Sequence, residues 1–198
     1  MSSERKWPSP GQRIVVVGTT GVGKTSLSRR LAQCLGCPHI ELDALHWQPG
    51  WVEVPLEAFR ARVVQALTGE SWVVDGNYSR VRDLVWSRAD TIIWLDYALP
   101  IILGRLFRRT IRRIVTREEL WGGSRETFRG GFLSRDSLFL WALKTYWRRR
   151  REYPVLFRRP EYAHLQVVRL RSPRAAERWL CHLNKCASQL PDHSLPVT

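Results

Sequence analysis

The chain has 198 residues, 44% of them apolar, with 32 Lys and Arg against 18 Asp and Glu, a net charge of +14, and 10 Trp. That length and apolar content suit one domain with its own core and exclude wholesale disorder. Membrane-spanning helices need about 18 or more apolar residues in a row; the most apolar stretch, 91–104, is broken by Asp96, so no span is expected.

Residues 1–10 are polar, carry Pro8 and Pro10, and lack the apolar segment of a signal peptide. They read as a flexible tail of a cytoplasmic protein. Arg13–Val17 is a β-branched run of the kind that forms a buried parallel strand. Gly18 to Thr25 follows as a glycine-rich turn, and 26–34 has helical spacing with Leu27 and Leu31 on one face. A short second strand is expected over 39–42. A helix is expected over 56–67 (Phe59, Val63, Val64, Leu67), then strands at 72–74 and 91–95, ending in Asp75-Gly76 and Asp96. Two Arg-rich helices follow, over 101–115 with Leu103, Leu106, Phe107, Ile111 and Ile114 inward, and over 137–153. Gly122-Gly123 and Gly130-Gly131 bracket the loop between them. A fifth strand over 165–170, a helix over 174–186 and a second flexible tail at 188–198 complete the chain. Strands alternating with helices predict an α/β fold, a five-stranded parallel sheet with helices on both faces, in a single domain at 11–187.

The glycine-rich turn matches G-x-x-x-x-G-K-[ST] at Gly18, Gly23, Lys24 and Thr25, and it sits between a strand and a helix as that motif requires. Glycines let the backbone wrap phosphate oxygens with N–H groups pointing inward, and the helix adds its positive end. Gly18, Thr19, Thr20, Gly21, Val22, Gly23, Lys24, Thr25 and Ser26 are therefore the candidate nucleotide-binding residues. Lys24 is expected on the β- and γ-phosphates and the Thr25 hydroxyl on Mg²⁺. ATP with Mg²⁺ is the expected cofactor pair, in a three-layer P-loop NTPase fold.

The charge is concentrated: residues 104–160 hold 15 Arg and one Lys against five acids. So cationic a segment is expected to face an anion, and the choice of Arg favours bidentate contact with phosphate. The cysteines, Cys34, Cys37, Cys181 and Cys186, form C-x2-C and C-x4-C pairs. The spacing allows a zinc site, but ordinary thiols in a reducing compartment are the expected reading.

The stretches Val17–Thr25, Glu41–Trp47, Trp72–Tyr78, Asp90–Asp96 and Arg169–Pro173 resemble the adenylate-kinase-like P-loop phosphotransferases, and within them the bacterial DNA topology modulation proteins. The resemblance implies an acceptor-binding insertion at about 44–70 and a basic helical lid at about 104–160. It implies Mg²⁺ at Asp75, whose other reading is a turn cap, and a general base or orienting acid at Asp43, whose other reading is a helix N-cap. His46, Trp47 and Trp51 would line the acceptor pocket. Arg105 and Arg109, four apart on one helical face, would grip phosphate together with Arg148 and Arg151 from the lid, and Arg82 is a weaker candidate for an anionic group of the acceptor. The family's Asp-Gly-Phe-Pro-Arg stretch is here Asp75-Gly-Asn-Tyr-Ser-Arg80, which argues against AMP as acceptor.

The function expected from these readings is phosphoryl transfer from ATP to a small molecule or nucleotide. The alternative is a nucleic-acid-binding ATPase or a kinase of nucleic-acid ends, using the aromatic residues interleaved with Arg (Trp121, Phe128, Phe132, Trp141, Tyr146, Trp147).

Overall fold

Ile14, Val15, Val16 and Val17 are all buried, and they place β1 (Arg13–Gly18) at the centre of the sheet. The computed structural model describes residues 9–50, 52–116 and 138–187. After β1 come α1 (Lys24–Leu35), β2 (His39–Glu41), α2 (Leu42–His46), a small antiparallel hairpin of β3 (Trp47–Gln48) and β4 (Val52–Glu53), and α3 (Leu56–Ala66). β5 (Trp72–Asp75), α4 (Arg82–Arg88), β6 (Thr91–Leu95), α5 (Leu99–Thr116), α6 (Leu138–Leu156), β7 (Gln166–Leu170) and α7 (Pro173–Ala187) follow. The main sheet has the order β2-β5-β1-β6-β7, and every pairing in it is parallel. The expected five-stranded parallel sheet with flanking helices is the observed one.

Alternation along the strands divides the core in two. Ile14, Val16, Ile93 and Leu95 face one side, where they pack with Leu27 and Leu31 of α1, Ile102 and Leu106 of α5, and Trp179 and Leu180 of α7. Val15, Val17, Ile92 and Trp94 face the other, with Phe59 and Val63 of α3 and Val85 and Trp86 of α4. Helix α6 belongs to both: Ala142 and Tyr146 pack in the first cluster, Tyr153 and Leu156 in the second. It therefore crosses over the carboxyl ends of the strands. In sheets of this kind ligands bind outside the carboxyl ends, where the strand order reverses; here the chain turns one way from β1 to β2 and the other way from β5 to β6.

Three local expectations are corrected. The second strand stops at Glu41, so Asp43 lies in the first turn of α2 rather than at a strand end; Leu42 is drawn down into the second cluster, taking the chain off the sheet edge. Phe107 is 53% exposed while Ile102 and Leu106 are buried, because α5 docks along the line these two residues make at i, i+4. Val64, read with the inward face of α3, is also exposed, and Phe59, Val63 and Leu67 carry that contact. The proposed loop glycines at 122–123 and 130–131, and Trp51, Trp121, Phe128 and Phe132, lie outside the described residues.

Candidate active site at the phosphate loop

Gly18 ends β1 at φ 153°, and a Cβ there would come within 2.7 Å of the Leu95 carbonyl oxygen. Gly23 has φ 100° and caps α1 with no side-chain cap. A side chain at either glycine is excluded, so the loop backbone stays open toward whatever lies above it. The first N–H groups of α1 are left without a capping acceptor, the arrangement that favours an anion at a helix start.

The loop is clasped from two sides. Asn77, just after β5, accepts from the Gly18 N–H (3.2 Å) and donates from Nδ2 to the Gly18 carbonyl (2.6 Å). Tyr153 of α6 donates its hydroxyl proton to the same Asn77 oxygen at 2.8 Å. Arg149 donates from Nη1 to the Gly18 carbonyl at 2.7 Å. Arg105 of α5 donates to the Val22 carbonyl at 2.6 Å and lies over the Tyr97 ring. Arg105 thus rests on the loop itself.

Cations converge here with little to balance them. Burial holds the Lys24 ammonium down to about 8; the neighbouring charges of Arg149 and Arg109 push the same way, and those of Asp75 and Asp43 pull back. Burial also works against the charge on Arg149, which is 9% exposed. Among the described residues neither Lys24 nor Arg149 has an ion pair. Such groups are costly unless a counter-charge arrives, and a polyphosphate is the counter-charge that suits a glycine-rich loop.

The lid arginines fall differently from expectation. Arg148 is exposed and lies 3.7 Å from Glu152 on its own helix, and Arg151 is exposed as well. The inward pair is Arg149 and Arg150. Arg150 Nε sits 2.7 Å from Asp96, whose other oxygen takes Arg169; Arg169 stacks 4.3 Å over Trp94. Asp96 thereby fastens α6 to the carboxyl ends of β6 and β7.

Two carboxylates complete the site. Asp75 is buried at the end of β5, and its Oδ2 is held by His39 Nε2 at 3.2 Å. His39 also faces Glu41 at 3.7 Å, and Glu41 in turn pairs with Arg29. Among the described residues no hydrogen bond reaches Asp75 Oδ1, so one hard oxygen remains for a cation or its water. With the Thr25 hydroxyl in the adjacent helix turn, this is a donor set suited to Mg²⁺. Asp43 accepts the Tyr78 hydroxyl proton at 2.6 Å, and the Trp47 side chain hydrogen-bonds the same Tyr78 oxygen. Burial and the Asp43 charge push the Tyr78 phenol upward, so it stays a donor. His46 is buried within 4.6–4.9 Å of the Trp47, Phe59 and Tyr78 rings. The N-cap of α2 is Glu41, which makes no side-chain cap hydrogen bond, and Asp43 lies one residue into the helix rather than at the cap position.

Of the cysteines, Cys34 and Cys37 pack against the first core cluster and Cys181 is exposed. Among the described residues no group of three or more metal-binding side chains forms, and no helix is long and apolar enough to cross a membrane.

No protein-family profile matches the chain. Among solved structures, a shikimate kinase from Bacteroides thetaiotaomicron superposes with a TM-score of 0.50 at 17% identity, covering 89% of this chain and 98% of that one. A shikimate kinase from Acinetobacter baumannii, in complex with shikimate, gives 0.50 at 18% identity over 91% and 95%. By sequence, a putative adenylate kinase of Pyrococcus furiosus is 32% identical over 103 residues, 48% of this chain and 54% of that protein. The HslU ATPase subunit of an ATP-dependent protease from Desulfovibrio desulfuricans is 32% identical over 123 residues, 62% of this chain. The chain thus spans about half the length of the first relative and a quarter of the second. The likenesses carry a P-loop kinase-like fold; they do not carry the finer resemblance to DNA topology modulation proteins.

Proposed function

We propose that the protein is an Mg²⁺- and ATP-dependent phosphotransferase acting on a small hydroxyl-bearing acceptor. The observation that carries this reading is a pair of cations that make no ion pair among the described residues, half-buried Lys24 and buried Arg149, at a glycine-rich loop whose lysine also feels the charges of two carboxylates, Asp75 and Asp43. The fold shared with kinases supports it.

In this reading the loop N–H groups and α1 hold the phosphates of ATP, and Lys24 sits on the terminal two. Thr25 and Asp75, the latter through water, would hold Mg²⁺, which supplies neutralisation of charge on the β- and γ-phosphates. Asp43, oriented by Tyr78, takes the acceptor's hydroxyl proton as its oxygen attacks the γ-phosphorus. The bond from that phosphorus to the β,γ-bridging oxygen breaks, and ADP leaves. Arg109 and Arg149 stabilise charge on the transferring group. Arg105 is assigned to holding the loop in shape, and Arg148 and Arg151 to the solvent face.

The test is ATP consumption against a panel of small alcohols, sugar derivatives and nucleosides, with Lys24→Ala as control. Acceptor-dependent ADP release that Lys24→Ala abolishes is the expected result. If no acceptor exceeds water, and the variant matches the parent, the reading fails.

The alternative, a nucleic-acid partner, rests on the solvent face of α6, where exposed Trp141 and Trp147 accompany Arg148 and Arg151; the relatives add nothing to it. Titration with single-stranded DNA and RNA at physiological salt tests it, and binding weaker than about micromolar leaves only non-specific attraction.

A further inference from the structure

Helices α1 and α7 lie side by side on one face of the sheet. Each follows a strand of the parallel sheet, β1 and β7, so both start at its carboxyl ends and run in the same direction. Their Cα atoms come within 8 Å of one another in places. Leu27 and Leu31 of α1 share the first core cluster with Ala176 and Leu180 of α7, which fixes the level of one helix against the other. On the flank of that seam Arg30 makes a two-pronged pair with Glu177, at 2.5 and 2.8 Å.

One helical turn beyond this pair, at i+4 on each helix, stand Cys34 and Cys181. Residues four apart share a helix face, so two parallel helices carry the pairing of Arg30 with Glu177 on to the two cysteines. The Arg30 guanidinium feels the charge of both sulfurs, which sets them on the same flank. Both are free thiols, Cys34 half-buried against the core and Cys181 exposed. Cys37 differs, because burial pushes its thiol up and leaves less of the reactive thiolate. A disulfide needs Cα atoms about 4.4–6.8 Å apart, a spacing within the range of helices packed this closely.

We infer that Cys34 and Cys181 are a redox pair, which closes to a disulfide joining the phosphate-loop helix to the last helix of the domain. The inference is independent of the phosphotransferase reading. The oxidant is a low-molecular-weight disulfide. The exposed Cys181 thiolate attacks one of its sulfurs, its S–S bond breaks, and one small thiol leaves. The Cys34 thiolate then attacks the Cys181 sulfur of the mixed disulfide, and the second small thiol leaves. The two protein thiols give up two electrons and two protons, and the small disulfide takes both and ends as two thiols. In a reducing compartment such a bond is transient, the form in which cytosolic disulfides sense redox state.

The experiment treats the folded full-length chain with oxidised glutathione and reads its intact mass, then its peptides after digestion without reduction. The expected product is lighter by two hydrogens, has Cys34 linked to Cys181, and reverts with dithiothreitol. The double variant Cys37→Ala, Cys186→Ala is expected to form the same link. Cys34→Ser is expected to stop at the glutathione adduct of Cys181, and Cys181→Ser to form no link to Cys34 from α7. The same oxidation in urea is expected to scatter links among the four cysteines. If the folded chain takes up glutathione without closing, links Cys34 to Cys37 instead, or gives the Cys34–Cys181 link no more often than in urea, the inference falls. The readout is a covalent mass without nucleotide, so it is decided separately from phosphoryl transfer.

Discussion

The Arg149 guanidinium donates to the carbonyl of Gly18 at 2.7 Å, joining α6 to the first residue of the phosphate loop across 131 positions of sequence. A buried cation held by one neutral carbonyl is poised for exchange: a phosphate oxygen is a better partner than an amide.

Replacement of Arg149 by Ala is therefore expected to lower kcat/KM about a hundredfold, the usual scale for losing one preorganised charge donor. Arg148→Ala and Arg151→Ala, which remove exposed side chains, are expected to stay within about threefold at moderate salt. Steady-state kinetics on the three variants decides this, and equal effects at all three positions would refute the assignment.

The depressed Lys24 ammonium makes a paired prediction for pH. Its folded value is about 8, against an ordinary value of 10.5, so between those pH values the unfolded chain binds more protons than the native one. By linkage the unliganded protein gains stability as pH rises through this window. ATP affinity moves the opposite way, falling above pH 8 as the loop loses a charge. Denaturant melts and nucleotide titrations from pH 7 to about 10 should show both slopes, and Lys24→Met should flatten both.

Tyr78→Phe removes the hydroxyl that orients Asp43 and leaves the ring in place against His46 and Phe59. The expected result is a fall in kcat of about tenfold with the KM for ATP unchanged, while Asp43→Asn loses about a hundredfold or more. A raised KM for ATP in Tyr78→Phe would place the residue on the nucleotide side instead.

Asn77→Ala cuts three hydrogen bonds, two to Gly18 and one from Tyr153. A cost of about 2–3 kcal/mol in unfolding free energy is expected, since the partners lose bonds in a partly buried setting. Asn77→Asp keeps the acceptor and loses the donor, so urea melts should rank it between Ala and wild type.

The fold and the strand–loop–helix setting of the glycine-rich motif were legible because each rests on local signals. The β-branched run before Gly18, the motif through Thr25 and the apolar spacing of α1 all lie within 23 residues of one another. Arg149 was legible too, had the phase of α6 been followed. Ala142, Tyr146, Arg149, Tyr153 and Leu156 recur at alternating steps of four and three, and this is the buried face; Arg148 and Arg151 belong to the opposite one. The roles of His39, Asn77 and Tyr78 were not legible. Each depends on a partner brought close by the sheet: β2 lies beside β5, which aligns Glu41 with Asp75 and sets His39 against that carboxylate. The short α2 escaped because five residues are too few to show a period, and only the burial of Leu42 fixes it.

The passage of α6 over the strand ends has a consequence for how the protein matures. Its two halves belong to hydrophobic clusters on opposite sides of the sheet, and the Asp96 fastening depends on Arg169 of the edge strand β7. Arg169 of β7 shares Asp96 with Arg150, the residue next to Arg149, so the docking of β7 beside β6 supports the Arg149 contact with Gly18. On the proposed function, a chain cut before β7 is expected to keep the loop sequence and lose nucleotide affinity, because the Arg149 contact with Gly18 is left with a weaker hold on α6. Capture on an ATP resin would sort finished molecules from nascent ones.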